Sequence, residues 1–319
     1  MAVGMLRTFA MVLRRSFEVI PLARLTAVFL MLALAGNAFA RHTRHHHHHH
    51  RAVAHEVTVT PSEAIEERVE NEIVRGEAVL DRLGPDNLFA SPYLVSAIVY
   101  HDGFLSRFPQ DKITADPSRR IVAHLTTLVT PDVKRQYVEL LRQRCGAEPA
   151  RPALVQPVNG FVDVSRLRRN HRDAVDVFAP EGAPVYSAAG GIVVLADSGW
   201  EHGDPFAVTS LRGGNSVVTF DPAANRFYRY CHLGSVNVQP GVTVVAGQLL
   251  GRVGHTGFNA EQPGHGEHLH FEVNQFDGRN VRALDYREIY ALLRTATPVP
   301  VAAAPRNEFA DLFWLLPIP

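Results

Sequence analysis

Two histidines, His268 and His270, stand two residues apart inside an apolar stretch, and Glu272 follows at the same spacing. Successive side chains of a β-strand point to opposite faces, so these three would share one face while Leu269 and Phe271 enter a core. Neutral imidazole is the commonest zinc ligand, and a strand holds such a pair without a flexible loop. The pattern predicts a metal or catalytic site on a sheet, although polar residues on the open face of a half-buried strand have the same spacing.

Two further segments upstream carry histidines or carboxylates in a strand-like setting. The first contains His171 and Asp176 and leads into the turn Gly182-Ala183-Pro184-Val185; the second is Tyr230-Cys231-His232-Leu233. Three motifs in a fixed order are far more specific than any one of them.

The elements around these motifs differ between the two parts of the chain. From residue 158 to 295, short strands alternate with Gly, Asn and Asp turns, which predicts a mainly β domain of the barrel or sandwich kind. Residues 57–148 instead have apolar side chains at helical spacing and prolines at helix starts. The predicted helices are Pro61 to a stop at Gly84, Pro92–Phe108 and Pro131–Arg144. This small helical region carries no recognisable chemistry, so it would be a lid or a docking surface.

The chain of 319 residues is 46% hydrophobic with zero formal net charge. That is enough for one sizeable core with a smaller unit beside it, and its overall field recruits no nucleic acid. The predicted order is a signal peptide (1–40), a His-rich linker (41–56), the helical region (57–148), a Pro-rich hinge (149–157), the β domain (158–295), and a Pro/Ala linker with an apolar tail (296–319).

The first 40 residues have the composition of an export signal. A basic leader precedes the apolar run Leu25–Ala35, and Ala38-Phe39-Ala40 forms a small-x-small cleavage site. Arg14-Arg15 leaves the twin-arginine route open beside the general one. The predicted location is therefore the periplasm or cell envelope. His45–His50 is either a native tract that holds metal loosely or a tag, and neither bears on the fold.

Two other features leave alternatives open. Cys145 and Cys231 have no metal-like spacing; a small buried thiol is favoured for Cys231, while a disulfide remains an alternative in an oxidising compartment.

In the tail, large apolar residues recur at helical spacing. They are Phe309, Leu312, Phe313 and Leu316. Such a stripe folds back onto the body of the protein or docks on an envelope protein.

The three motifs resemble those of the lysostaphin-like (LytM-type) zinc endopeptidases. That family's pattern is His-x-x-x-Asp before a Gly-x-Pro-Val turn, then Tyr-x-His-Leu, then Gly-x-His-Leu-His-Phe-Glu. The resemblance covers residues 155 to 290 and implies a Zn²⁺ cofactor and hydrolysis of peptidoglycan peptides. It also implies that Asp176 and His270 are zinc ligands and that His232 and His268 are catalytic.

Together with a third protein ligand, these two residues would leave the fourth zinc position to water, as in catalytic sites. The chain has no His-Glu-x-x-His helix, so His232 or His268 would take the proton of that water and stabilise the oxyanion. Glu272 is in phase with His270 and would fix its tautomer.

The first ligand departs from the family pattern. The family spacing falls on Arg172, whose guanidinium cannot ligate a metal, and His171 lies one residue further from Asp176. Strand alternation would turn His171 to the opposite face unless one residue is bulged out. We expect a bulge at Arg172-Asp173 that returns His171 to the metal as its third protein ligand.

Other polar residues near the motifs have blander interpretations. His255 and His265 lie in Gly-rich loops and would contact substrate or solvent, and Asp173 would be a solvated loop carboxylate. Tyr230 is in phase with His232 and would either face the groove or be a surface aromatic.

Three functions are compatible with these patterns. The leading hypothesis is an exported zinc endopeptidase that cuts peptide cross-links of peptidoglycan. The alternative is a non-catalytic LytM-domain regulator of other wall hydrolases, which the irregular first motif permits. A β-barrel binding module of the lipoyl-like kind, suggested by residues 241–257, leaves the histidines unexplained.

Overall fold

The computed structural model describes residues 61–146, 154–164, 171–202, 206, 211 and 213–299. The predicted export signal, the histidine tract, most of the hinge and the apolar tail lie outside these ranges. The described helices and strands belong to one compact unit. None of the described helices combines the length and apolar character that a membrane span requires. The predicted domain boundaries stay predictions.

Five helices occupy the N-terminal part of the described chain. They are α1 (Pro61–Asp81), α2 (Pro92–Val99), α3 (Gln110–Thr114), α4 (Pro117–Leu128) and α5 (Pro131–Cys145), with a 3₁₀ turn at Leu105–Arg107. Ser91, Asp116 and Thr130 cap α2, α4 and α5, because each side chain accepts a backbone N–H of the first turn. The proline after each cap loses nothing at a position whose N–H has no helical partner.

The prediction for the helical region is confirmed in kind but was wrong in two details. The second predicted helix ends at Val99 and not at Phe108, because Tyr100 has extended backbone dihedrals. Helices α3 and α4 were not predicted, although Asp116-Pro117 at the start of α4 carries the same cap and proline signal as the others.

The β region forms two antiparallel sheets. Its strands are β1 (Val175–Phe178), β2 (Pro184–Tyr186), β3 (Gly191–Asp197), β4 (Ser216–Asp221), β5 (Arg226–Cys231), β6 (Leu233–Val236), β7 (Thr243–Val244), β8 (Leu249–Val253), β9 (His268–Phe276) and β10 (Val281–Ala283), followed by helix α6 (Tyr286–Thr295). The large sheet has the order β1-β9-β5-β4-β3-β7 with β10 beside β9, and the small sheet has the order β2-β8-β6. In the described residues these sheets do not close into a barrel.

The large sheet is the middle layer of the structure. One of its faces packs on the small sheet and α6 through residues such as Leu269, Phe271 and Val273, together with Leu250 and Val253. Its other face shares a second hydrophobic cluster with the N-terminal helices, to which the sheet contributes Ile192, Val194, Val218, Phe220, Phe227 and Phe276. The predicted mainly β fold preceded by helices is therefore confirmed, and the helices cover a face of the sheet.

The contact between α1 and α4 provides a test of this packing. A Cβ atom at Gly76 would lie 2.6 Å from the Cδ1 atom of Leu125, a fully buried side chain of α4. Gly76→Val should therefore lower the free energy of unfolding by about 1–3 kcal/mol through overpacking, measured by urea denaturation. Ala64→Val in the exposed first turn of α1 is the matched control for the β-branched side chain. Equal stability of the two variants would contradict the close approach of α1 and α4.

Candidate metal centre

Strand pairing brings together residues that are far apart in the sequence. Strand β9 carries His268, His270 and Glu272 on the face of the large sheet that the helices cover, whereas Leu269 and Phe271 enter the opposite core. Strand β1 pairs with β9 so that Asp176 stands directly opposite His270. The two side chains therefore project from neighbouring strands on the same side of the sheet.

Three potential ligands converge at this point. Asp176 Oδ1 lies 2.9 Å from His270 Nδ1, and Asp176 Oδ2 lies 3.1 Å from His171 Nε2. The potential ligand atoms of the three residues all lie within 4.8 Å of one another. Donor atoms of a tetrahedral zinc site stand about 3.3–3.5 Å apart, as ligand distances of about 2.0–2.2 Å require. Two imidazoles and one carboxylate at this spacing fit zinc.

His171 reaches Asp176 without the predicted bulge. Strand β1 begins only at Val175, and residues 172–173 form a bend in front of it. The alternation of strand side chains therefore does not constrain His171, and the inference of a bulge was wrong. Arg172, at the family spacing, is exposed, and its carbonyl accepts the Tyr286 N–H.

His232 and His268 stand beside the three potential ligands. The His232 Nδ1 atom lies 2.7 Å from the Thr256 carbonyl oxygen, and His268 Nδ1 lies 2.9 Å from the Gly266 carbonyl oxygen. A carbonyl only accepts hydrogen bonds, so each neutral ring carries its proton on Nδ1 and leaves a lone pair on Nε2. The two ring centroids are 4.9 Å apart, and the His268 Nε2 atom lies 3.7 Å from Asp176 Oδ1.

Burial keeps these two histidines uncharged. It lowers the pKa of His232 well below its usual range, helped by the neighbouring His270 and His268. Burial also lowers the pKa of His268. His232 further adopts a positive φ of 64°, a conformation that costs a non-glycine residue of order 1–2 kcal/mol. Its backbone N–H donates to the Gly213 carbonyl, and its carbonyl accepts the Gly254 N–H, so both neighbours hold the strained residue in place.

Two carboxylates contact opposite sides of the His270 ring. Asp176 faces Nδ1, and the Oε1 atom of Glu272 lies 3.1 Å from Nε2. Burial opposes charge on the ring, but these two carboxylates outweigh it and raise the pKa of His270 to about 9. Burial likewise opposes charge on Glu272, yet Arg229 and His270 hold its pKa well below the usual range. Glu272 thus lies where the sequence predicted it.

A cleft with a volume of about 370 Å³ opens over these side chains. Its walls come from three parts of the described chain. The helical region contributes Phe104, Arg107 and Phe108, and the loops contribute Leu211, Asn259, Ala260 and His265. The large sheet contributes Asp176, Arg229, His268, His270 and Glu272, with His171 and His232 just outside its strands. The sequence predicted neither Arg107 nor Arg229 in the site. The only local signal for Arg229 was a charge within an apolar strand, in phase with Phe227 and Cys231.

Two other residues, Asp173 and Tyr230, lie where the sequence did not place them. Asp173 is not a solvated loop carboxylate, because it forms an ion pair with Arg107 and its Oδ2 atom lies 3.2 Å from His101 Nε2. Tyr230 faces neither groove nor solvent: it is fully buried in the inter-sheet core, and its hydroxyl accepts the Ala188 N–H. His265 lines the cleft, and His255 does not.

The two cysteines also have a definite placement. Both thiols are free; Cys231 is fully buried on β5, and Cys145 is partly exposed at the end of α5. Burial raises the pKa of Cys231 to about 12, so it behaves as a small apolar side chain.

The sequence of the β region is similar to those of known proteins. Residues 170–283 match the sequence profile of Peptidase family M23, and this part of the chain is a peptidase M23 domain. It is homologous to lysostaphin of Staphylococcus simulans (28% identical over 148 residues, 44% of this chain and 26% of lysostaphin). It is also homologous to the glycyl-glycine endopeptidase ALE-1 of Staphylococcus capitis (33% identical over 110 residues, 34% of this chain and 26% of ALE-1). The resemblance to lysostaphin-like peptidases is confirmed.

The match is confined to part of each protein. The chain spans about a quarter of the length of these curated relatives, 26% in both. Among solved structures, a zinc-containing peptidase from Vibrio cholerae is similar at 27% identity over 47% of this chain and 40% of that chain, with a TM-score of 0.29.

The placement of His171 predicts a clear difference between two neighbouring variants. His171→Ala removes a ligand and should weaken zinc binding by more than about 100-fold, the upper range for loss of an outer-shell partner alone. Arg172→Ala, the matched control, should leave the affinity unchanged, because that side chain is exposed. Zinc affinity is measured by competition with a chromophoric chelator after replacement of His45–His50 by serine. Tighter binding by a His171→Ala/Arg172→His protein than by the native chain would contradict the assignment.

The pKa of His270 predicts the pH dependence of metal binding. With this pKa raised to about 9, the metal-free ring is protonated at neutral pH, and zinc must displace that proton. The apparent zinc affinity should therefore rise about tenfold per unit between about pH 6 and pH 8. The same chelator competition, repeated across this range, measures it. An affinity independent of pH would show that His270 releases no proton to the metal.

Proposed function

We propose that this protein is a zinc-dependent endopeptidase that hydrolyses peptide cross-links of peptidoglycan in the cell envelope. The observation that carries the proposal is the convergence of His171, Asp176 and His270 beside two uncharged histidines in an open cleft. The names of the relatives, lysostaphin and glycyl-glycine endopeptidase, support peptide-bond hydrolysis as the reaction. The composition of residues 1–40 supports export to the compartment that contains the substrate.

Each side chain of the site has a role in this reaction. His171, Asp176 and His270 hold the zinc ion, which when bound supplies Lewis-acid chemistry that acidifies water and polarises a carbonyl. His232 and His268 are uncharged and present the Nε2 lone pair, so either accepts a proton from the attacking water. Once protonated, the same Nε2 atom donates a hydrogen bond to the developing oxyanion and then returns the proton to the leaving amine.

The fixed orientation of these two rings supports the assignment. Each Nδ1–H is bonded to a backbone carbonyl, so the ring presents Nε2 to the cleft without an additional ordering cost when substrate binds. Carbonyls of neighbouring loops take the part that a buried carboxylate plays in other catalytic histidines, since both fix the tautomer.

A second candidate function is a non-catalytic regulator of other wall hydrolases. The observation that favours it is the one-residue offset between His171 and the family spacing of the first ligand. A regulator would not need stoichiometric zinc or the two uncharged histidines, so metal content and hydrolysis together separate the two functions.

Two variants test the endopeptidase. His270→Ala removes a ligand and should abolish both zinc binding and hydrolysis of purified peptidoglycan. His268→Ala should keep zinc bound while hydrolysis falls by about 10²–10⁴-fold, the usual contribution of general acid–base catalysis. Hydrolysis is followed by the release of new amino groups, and zinc content by elemental analysis of protein with His45–His50 replaced by serine.

His124→Ala, which removes an exposed histidine of α4 that does not line the cleft, is the control and should change neither zinc content nor hydrolysis. Equal loss of zinc in the His268 and His270 variants would show that the division of roles is wrong. An unaltered protein that binds zinc but hydrolyses no peptidoglycan would favour the regulator.

A further inference from the structure

A buried ion pair lies directly behind the metal centre. Arg229 of β5 and Glu272 of β9 are cross-strand partners, and the Arg229 Nη1 atom lies 3.0 Å from the Glu272 Oε1 atom. Both side chains are only 4% exposed. An arginine and a carboxylate are almost never this deeply buried unless each satisfies the other.

The same carboxylate oxygen connects this pair to a metal ligand. Glu272 Oε1 lies 3.1 Å from His270 Nε2, while His270 Nδ1 faces Asp176 on the other side of the ring. The contacts therefore form one chain from Arg229 through Glu272 and His270 to Asp176. A carboxylate that accepts the Nε2–H keeps the proton on that nitrogen and leaves Nδ1 for a metal.

The helical region covers Arg229, which is the end of this series of contacts that lies farthest from Asp176. The Arg229 guanidinium carbon lies 4.8 Å from the centroid of the Tyr100 ring and 5.8 Å from that of Phe104. Both aromatic residues belong to the segment that follows α2 and are themselves buried. They cover one side of the guanidinium and contribute cation–π attraction to it.

We infer that Arg229 is a positioning residue of the metal centre: it holds Glu272 in the orientation that fixes the His270 ring and directs Nδ1 toward the metal. The inference depends on the proposed function only in taking zinc as the ion that this site binds. It also makes the segment from Tyr100 to Phe104 part of the centre, because that segment covers Arg229. The planar guanidinium is rigid, so the Nη1 donor that contacts Glu272 Oε1 keeps a fixed direction that a flexible lysine would not provide.

A double substitution separates positioning from folding. Arg229→Met/Glu272→Leu replaces the buried ion pair by apolar side chains of similar volume, an exchange that proteins often tolerate without loss of stability. The His270 ring then keeps its packing but loses its orienting acceptor. The zinc dissociation constant of the double variant should therefore rise by about 10–100-fold, the usual effect of losing an outer-shell partner. The melting temperature of the metal-free protein should stay within a few degrees of that of the unaltered chain.

A matched ion pair elsewhere in the fold provides the control. Arg282 and Glu288 form a two-bond pair, with distances of 2.8 and 3.0 Å, on the exposed side between β10 and α6. Arg282→Met/Glu288→Leu should leave zinc affinity unchanged.

Arg229→Lys retains the charge but not the planar guanidinium, so it should weaken zinc binding less than the double substitution does. It also keeps the test decisive if the apolar pair fails to fold.

Zinc dissociation constants of all variants, with His45–His50 replaced by serine, are measured by chelator competition. The d–d absorption spectrum of the cobalt-substituted proteins reports the ligand geometry. Weaker zinc binding with an altered cobalt spectrum in the Arg229 variants, but not in the Arg282 control, supports the inference. Equal affinity and identical spectra in the unaltered and Arg229 proteins would overturn the inference alone. No stoichiometric zinc in the unaltered protein would overturn both the inference and the proposed function.

Discussion

The candidate metal centre depends on the contacts that the Asp176 carboxylate makes with two histidines. It contacts His270 through Oδ1 and His171 through Oδ2 and therefore joins β9 to the bend in front of β1. Burial alone would raise the pKa of Asp176, but hydrogen bonds from the two imidazoles hold it well below the usual range. The Asp176 side chain is 12% exposed, and a charged group with so little access to water is stable only with such partners. A slip of one residue in the β1–β9 register would turn Asp176 into the apolar core, so the pairing of these strands and the site specify each other.

The alternation of side chains along β9 extends this constraint to the whole fold. The odd-numbered residues Leu269, Phe271 and Val273 fill the core between the sheets. The even-numbered face begins with the two histidines and Glu272 and continues through Asn274, whose side-chain amide donates to the Val99 carbonyl, to Phe276 in the helix cluster. One face of β9 therefore lines the cleft at its start and packs against the helices at its end. The N-terminal helices pack on the Phe276 end of this face. The segment that follows α2 extends to the histidine end, where Phe104, Arg107 and Phe108 line the cleft.

Sequence reasoning found the residues whose role depends on local spacing. Alternation correctly placed His268, His270 and Glu272 on one face, and the order of three motifs identified the family. Contacts between distant segments left no such local signal. Arg107 and Asp173 are far apart in the chain, and nothing near either residue indicates that they pair. The bulge proposed for His171 failed for a related reason, because the start of β1 at Val175 is set by its pairing with β9 and not by its own residues.

The same long-range contacts change the interpretation of the helical region. As a lid, it would leave the β domain complete when removed. However, its helices share a hydrophobic cluster with one face of the large sheet, and Arg107 forms an ion pair with Asp173, three residues before Asp176. Removal would expose Val194, Phe220 and Phe276 and leave a partly buried carboxylate without its guanidinium partner. Movement of the helices away from the sheet would therefore break apolar contacts with the sheet as well as the ion pair between Arg107 and Asp173. In the proposed reaction, a peptide would therefore enter through the existing cleft, which the helical region and His265 border.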